Sequence, residues 1–489
     1  MVLEQDRSAS QSGGQGVYGP GKWLCCTVVV GVSVGLLFVP RSLPVVLPLL
    51  AIMGTILAFL AILRRESDGV ISVFELGVIY GAIVALYGVF PLLGYLLNGM
   101  KYSRPGSAVR LMADQPSPGM VGSIAWYYVV YLLAFAVVYV LVRRKAGRLQ
   151  VLVCKPSRTA VVVIVVSYLA VKLFLTSVEW YYDIADGGYM ETYLARSRLP
   201  LLLRQITGHL TGATVTLEML ILIVLFLAGS RYWRLAGLWA GLRIIGAFIE
   251  VGARTGLVLF LFAAVLIYNH LVRPFKVRTV VLLGLAGLLG FLWMGMVRDL
   301  PSEMWSASPF AMSNEFESLF ANAYDLNRIK ASGALEPVGR AFLLSDFIAL
   351  VPQQLLPFEK VIPSQWLVNT FYPDYAGSGG GLAFGAISES IVGFGWIDLV
   401  CRGAAVGLVL AFVQRRYRPT FWWFAFYVWM TVTAYQSFRN TTFAPLALFV
   451  YQFLPVMVLV KVAAHLLAPS RASQPTALAA AGMRQGGES

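Results

Sequence analysis

Charge is scarce in this sequence. Asp, Glu, Lys and Arg make up 13% of its 489 residues, against about one quarter in an average soluble domain. With 58% hydrophobic residues, that shortage excludes a water-soluble globular body. Reactive side chains are few as well. His209, His270 and His465 are scattered and read as structural or interfacial. Cys25, Cys26, Cys154 and Cys401 fall in or beside apolar runs or in a basic connection. Such placement excludes a disulfide framework, and no Cys/His ligand spacing for a metal appears. There is no GxxxxGK[ST] loop and no GxGxxG between a strand and a helix, which excludes a recognisable nucleotide-binding domain. Energy must then arrive with a substrate or from an ion gradient. No cofactor is expected.

What is present is apolar sequence in runs of spanning length. Stretches of 17–25 apolar residues recur, and each is long enough to cross a hydrocarbon core. About twelve spans are expected, at 23–40, 43–63, 72–97, 121–142, 159–177, 206–229, 235–251, 255–272, 279–297, 394–413, 420–437 and 443–465. The net charge of +14 therefore reports orientation before it reports any partner, and nucleic-acid binding is not inferred. The short segments "RRESDG", "RRKAGRLQVLVCKPSR", "SRYWR", "RPFKVR" and "QRRYRP" are dense in Lys and Arg and fall at alternate connections. The positive-inside bias puts them in the cytoplasm. Both termini follow. Residues 1–22 lack the features of a signal peptide, so the first span is expected to stay as an anchor. Residues 467–489 read as a disordered cytoplasmic tail.

Most acids lie on the opposite side. A loop of about 85 residues, 298–382, is long enough to be functional rather than a linker. It contains short apolar pieces, "AFLLSDFIALVPQQLLPF" and "SQWLVNTFY", better suited to the interface than to spanning. The expected fold class is an all-α polytopic membrane protein with about twelve transmembrane helices and a large outer-face loop containing short helices. Its regions are the tail 1–22, nine helices over 23–297, the outer loop 298–382, an amphipathic helix and three further helices over 383–466, and the tail 467–489.

Charged groups at apolar boundaries are the candidate site. Arg254 begins a span, Arg298 and Asp299 open the large loop, and Arg439 lies in the turn before the last span. Arg243 and Glu250 lie inside a span and share a face with Arg254 if 243–254 is one helix. A charge in a span faces a cavity or pairs with a partner; Lys172, Glu218, Arg243 and Glu250 offer such pairs. Anchoring to headgroups is the plain role for Arg254 and Arg439. The sharper one is a clamp, because a guanidinium matches phosphate oxygens bidentately and keeps its charge. In "GSGGGLAFGAISESIVGFGW", Glu389 is a lone acid in an apolar helix, where a raised pKa suits a general base. Glu315 and Glu317 in "SNEFESLF" compete for that role, and "SNEF" equally reads as a helix start. Tyr181, Tyr182 and Asp183, with Tyr372, Asp374 and Tyr375, mix aromatic faces and carboxylates as sugar sites do, and as interfacial belts do.

Three of these segments resemble elements of the Wzy-type oligosaccharide repeat-unit polymerases, in the wider group with the O-antigen ligases. "VGARTG" is similar to the small-residue–Arg element that opens a span, and carries Arg254. "GSGGGLAFGAISESIVGFGWID" resembles the glycine-rich segment that ends the large outer loop, and carries Glu389, Gly393 and Gly395. "SFRNT" resembles the turn before the final span, and carries Arg439. The resemblance implies a GT-C-like body in a bacterial inner membrane and an inverting, metal-independent glycosyltransferase. Undecaprenyl-diphosphate-linked oligosaccharides would be joined at the periplasmic face, for O-antigen, capsule or exopolysaccharide. It also implies membrane lipid, a chain-length regulator and a flippase as partners. No histidine occurs between 298 and 382, which favours polymerase over the ligase pattern. A transporter or lipid flippase is the main rival from another class, although no repeat relates the two halves. A membrane acyltransferase and a structural scaffold fit less well.

Overall fold

The computed structural model describes residues 42–66, 74–97, 99–100, 116–143, 153, 155–182, 184, 199–249, 254–276, 278–280, 282–287, 289, 314–336, 338–373, 382–417 and 420–467. All regular structure among them is helical. The expected span 23–40 lies outside them.

Among the described residues, seven helices are long and apolar enough to cross a membrane. They are α1 (Leu43–Glu66), α2 (Leu76–Leu97), α3 (Pro118–Val142), α4 (Arg158–Tyr181), α5 (Leu201–Ala228), α13 (Trp396–Arg416), and the crossing over Ala444–Leu466 made of α16 (Ala444–Leu448), a π turn (Phe449–Phe453) and α17 (Leu454–Leu466). In lipid the backbone must satisfy itself, and a helix does so. Side chains cap the starts. Ser117 Oγ accepts from Met120 N at 3.3 Å, and Ser157 Oγ from Ala160 N at 3.1 Å. These seven correspond to the spans expected at 43–63, 72–97, 121–142, 159–177, 206–229, 394–413 and 443–465.

The remaining expected spans are met in part: α6 (Ser230–Ile249) has the length of a span but is less apolar than the seven, 420–437 is divided, and 290–297 of the span expected at 279–297 lie outside the described residues. α6 and α7 (Arg254–Leu271) are separate helices that pack against each other. The Trp239 and Phe260 rings meet at 5.4 Å, and the Arg243 guanidinium lies 5.9 Å from the Phe260 centroid. The chain therefore turns back between Trp239 and Phe260; Glu250 and the Arg254 side chain, on which a face shared with Arg243 depends, lie outside the described residues. A shorter apolar helix runs over Arg278–Gly287. The expected span 420–437 is broken: α14 (Phe421–Thr433) has only 13 residues, and α15 (Gln436–Arg439) follows after a turn. Hydroxyls bond back to carbonyls near this break. Thr431 donates to Tyr427 O at 2.7 Å, Thr433 to Trp429 O at 2.9 Å, and Ser437 to Ala434 O at 2.8 Å.

The bundle has two ends. At the lower end Arg143 is paired with Glu75, and Tyr427 donates to Phe74 O at 3.1 Å. Basic residues lie at the helix ends there, Lys155 before the helix that starts at Arg158 and Arg416 closing α13. α3 and α13 run parallel in close contact, because Gly403 faces Tyr131 O and Gly407 faces Phe135 O. Cβ atoms at these glycines would sit 2.7 and 2.6 Å from those oxygens, the signature of a small-xxx-small seam.

Toward the upper end, the large loop folds into α8 (Asn314–Ala331), α9 (Arg340–Leu343), α10 (Ser345–Ile348), a 3-10 turn (Gln353–Leu355) and α11 (Pro363–Phe371). α8 is buried against α2, α3 and α12 (Ala386–Val392). Phe316 stacks on Phe90 at 5.2 Å and Phe320 on Tyr128 at 5.7 Å.

Candidate functional site

The broken helix reaches into the bundle. The Phe438 ring sits 5.6 Å from Tyr87, 5.6 Å from Tyr128 and 5.3 Å from Tyr131. At 1.5 Å per residue, Tyr87 lies ~15 Å from the Leu97 end of α2, and Tyr128 ~15 Å from the Pro118 end of α3. Ser437 Oγ also bonds Tyr80 OH at 3.1 Å, and Tyr80 bonds Tyr131 at 2.7 Å. In the turn after α15, residues 440–443, Thr441 and Thr442 are buried, while Asn440 is exposed.

Two carboxylates hold that turn. One is Glu389 of α12. Its Oε2 accepts from Thr442 N and from Thr442 Oγ1, both at 3.0 Å. Its Oε1 meets Arg402 Nη1 at 2.7 Å. The other is Asp346 of α10, which accepts from Thr441 Oγ1 and, at 2.9 Å, from Phe443 N. Arg402 completes the cluster. Its Nε lies 2.7 Å from Asp398 Oδ2, one helical turn earlier, and its Nη1 donates to Thr442 Oγ1 at 3.1 Å. Two acids, Glu389 and Asp398, thus pair with one guanidinium, and Asp346 feels its charge without a direct bond. Glu389 is 3% exposed. Burial pushes its carboxyl up to about 7; Arg402 pulls it down and Asp346 pushes it further up. Burial also raises Asp346, against its bonds to Thr441 and Phe443.

Backbone geometry explains the glycines here. Gly385 precedes α12 with φ +87°, a conformation that L side chains rarely adopt, and its N–H donates to Asn440 O at 2.8 Å. Gly395 starts α13 with φ +65°. Asn322 of α8 donates to Ala383 O at 2.8 Å, and Lys330 donates to Ile391 O. Two buried hydroxyls beside the acids, Ser345 Oγ and Ser388 Oγ, have no hydrogen-bond partner among the described residues.

Two of the motif segments therefore meet: the one bearing Glu389, Gly393 and Gly395, and the turn that follows Arg439. The other expected residues have varied positions. Arg439 ends α15, half-buried, with its N–H bonded to Tyr435 O at 2.9 Å. Arg243 lies in the bundle body, 3.1 Å from the buried Glu218, which also accepts from Tyr168 at 3.2 Å. This is the plain interhelical pair. Glu317 is buried in α8. Tyr372 is buried and donates to Asp325 at 3.1 Å, a bond that ties α8 to the end of α11. Tyr181 and Tyr182 are exposed at the end of α4, on the side of the bundle formed with α5 and α17. Arg298, Asp183, Asp374, Tyr375 and the side chains of Arg254 and Glu315 lie outside the described residues.

Arg402, Asp346 and Asp398 are the members that sequence reasoning missed. Arg402 was visible as a lone arginine in an expected span, four residues after an aspartate, the spacing of a helical ion pair. Asp346, in "LLSDFIAL", carries no such signal. Among the described residues, no group of three or more His, Cys, Asp or Glu side chains is placed to hold a metal ion. No protein-family model, curated protein or solved structure matches this chain.

Proposed function

We propose that the protein polymerises polyprenyl-diphosphate-linked oligosaccharide repeat units at the periplasmic face of a bacterial inner membrane, with both termini in the cytoplasm. One observation carries this reading. The Glu389 segment and the Arg439 turn, about fifty residues apart and both drawn from the resemblance to polymerases, meet through the buried Glu389–Arg402–Thr442 cluster.

In the proposed reaction an acceptor hydroxyl attacks the anomeric carbon from the face opposite the diphosphate and inverts it. The sugar–phosphate bond breaks, and its electron pair leaves on the polyprenyl diphosphate. Arg254 and Arg439, with Arg298 as a further candidate, would stabilise the developing phosphate charge; Arg243 is engaged by Glu218 in the bundle body. The acceptor proton passes to a carboxylate, first Glu389, then Glu315 or Glu317. Glu389 has both oxygens bonded, so an acceptor hydroxyl reaches it only when the turn at Thr442 moves away. Tyr181, Tyr182, Asp183, Tyr372, Asp374 and Tyr375 are the candidate glycan contacts. The step requires neither nucleotide nor metal.

A second reading has one observation in its favour. Broken helices with charged groups at mid-depth are a device of transporters, and the break between α14 and α15 is of that kind. Mass spectrometry of lipids that co-purify with the protein separates the two, with Arg254→Ala and Arg439→Ala alongside. A polyprenyl-diphosphate glycan on the wild type, depleted in the variants, is the expected result. Ordinary phospholipids alone, equal in all three, would overturn the clamp.

A further inference from the structure

A second charged feature lies at the lower end of the bundle, far from Glu389. α4, α14 and α17 leave a cavity of about 340 Å³ between them. Among the described residues two cations line it, Lys155 before α4 and Lys461 on α17, and no acid does. Its remaining wall is mostly apolar and includes Phe421, Trp422 and Val460. Lys461 Nζ lies 5.4 Å from the Trp422 ring centroid, so the indole face holds the ammonium in place. Two helices also begin at this cavity, at Ser157 and Thr420, and a helix start carries partial positive charge.

We infer that this cavity binds the phosphodiester of an anionic membrane lipid. The charge is of one sign and comes from two separate elements. The apolar wall suits the glycerol and first acyl carbons. The level is right as well. Two spanning helices, α4 and the crossing that ends in α17, have their termini here, where headgroups lie. Basic pockets between transmembrane helices on the cytoplasmic side select anionic headgroups, and this is the end that carries the basic connections.

The full-length protein is tested in detergent by native mass spectrometry, after exchange from nanodiscs of phosphatidylglycerol or of phosphatidylcholine. Wild type should retain phosphatidylglycerol selectively. Lys155→Gln with Lys461→Gln should weaken that retention roughly thirtyfold, and Lys155→Arg with Lys461→Arg should preserve it. Arg231→Gln with Arg234→Gln, exposed at the start of α6, is the control for general surface charge. Equal retention by wild type and the glutamine pair overturns the site, and so does an equal loss in the Arg231/Arg234 control. Inorganic phosphate is added in a separate arm. If it displaces the lipid at millimolar concentration from wild type, the cavity is a free-phosphate site and the lipid assignment fails.

Discussion

Removing Arg402 is the sharpest test of the charged cluster. Arg402→Met keeps the length of the side chain and deletes its charge. Three bonds are lost: to Glu389 at 2.7 Å, to Asp398 at 2.7 Å and to Thr442 at 3.1 Å. Breaking a buried pair by deleting one partner costs ~3–5 kcal/mol, because a charge is left uncompensated. Glu389 limits that cost. Burial already holds its carboxyl at about 7 against the pull of Arg402. Without Arg402 it takes a proton at neutral pH and remains bonded to Thr442. The expected loss is therefore ~3 kcal/mol, the low end of that range. Adding Glu389→Gln to Arg402→Met should cost little more, since the carboxyl is then already neutral. The two single losses should exceed the double loss by at least ~1 kcal/mol, outside the ~0.5 kcal/mol scatter of independent sites. Reversible unfolding in mixed micelles measures all four proteins. A loss under ~1 kcal/mol for Arg402→Met, or additivity within ~0.5 kcal/mol, would refute the argument.

Three further outcomes follow from the geometry. Glu389 shifts from 4.5 to about 7 on folding, so the folded protein binds the extra proton. Its contribution is full below pH 4.5 and declines as pH rises to about 7, by at most ~1.4 kcal/mol per unit; Glu389→Gln should flatten a stability–pH curve there, and an unchanged slope counts against the shift. Gly407→Ala should cost ~1–3 kcal/mol, because its Cβ meets Phe135 O, while Gly54→Ala, with nothing within 4 Å, should stay within ~0.5 kcal/mol; equal midpoints for the two would remove the seam. Arg439→Lys should abolish polymer formation with protein level intact, since a lysine lacks the planar fork, and full activity in a lipid-linked oligosaccharide assay would exclude the clamp at that position.

Length and hydropathy placed the spanning helices, because a crossing needs about twenty apolar residues and little else. They failed at 420–437, where the composition stays apolar while the helix stops. Thr431, Thr433 and Ser437 mark that break, yet hydroxyls bonded to carbonyls are as common inside intact helices. The site was legible where a lone charge interrupted apolar sequence, at Glu389 and Arg439. It was not legible at Asp346, which gains its role only when α10 folds onto the turn at Thr441, nearly one hundred residues away in the chain. Nor did the sequence tell Arg243 from the other arginines; its partner Glu218 is brought by a different helix.

The parallel seam between α3 and α13 sets an order of assembly. The carbonyls of Tyr131 and Phe135 wait for Gly403 and Gly407, some 270 residues later, and at 5–20 residues per second that is ~15–55 s of synthesis. Throughout that interval the groove on α3 has only lipid to fill it. A nascent chain stopped before Trp396 would therefore hold an open cleft in the bilayer, and the arrival of α13 is the step that closes the body and delivers Arg402 to its acids.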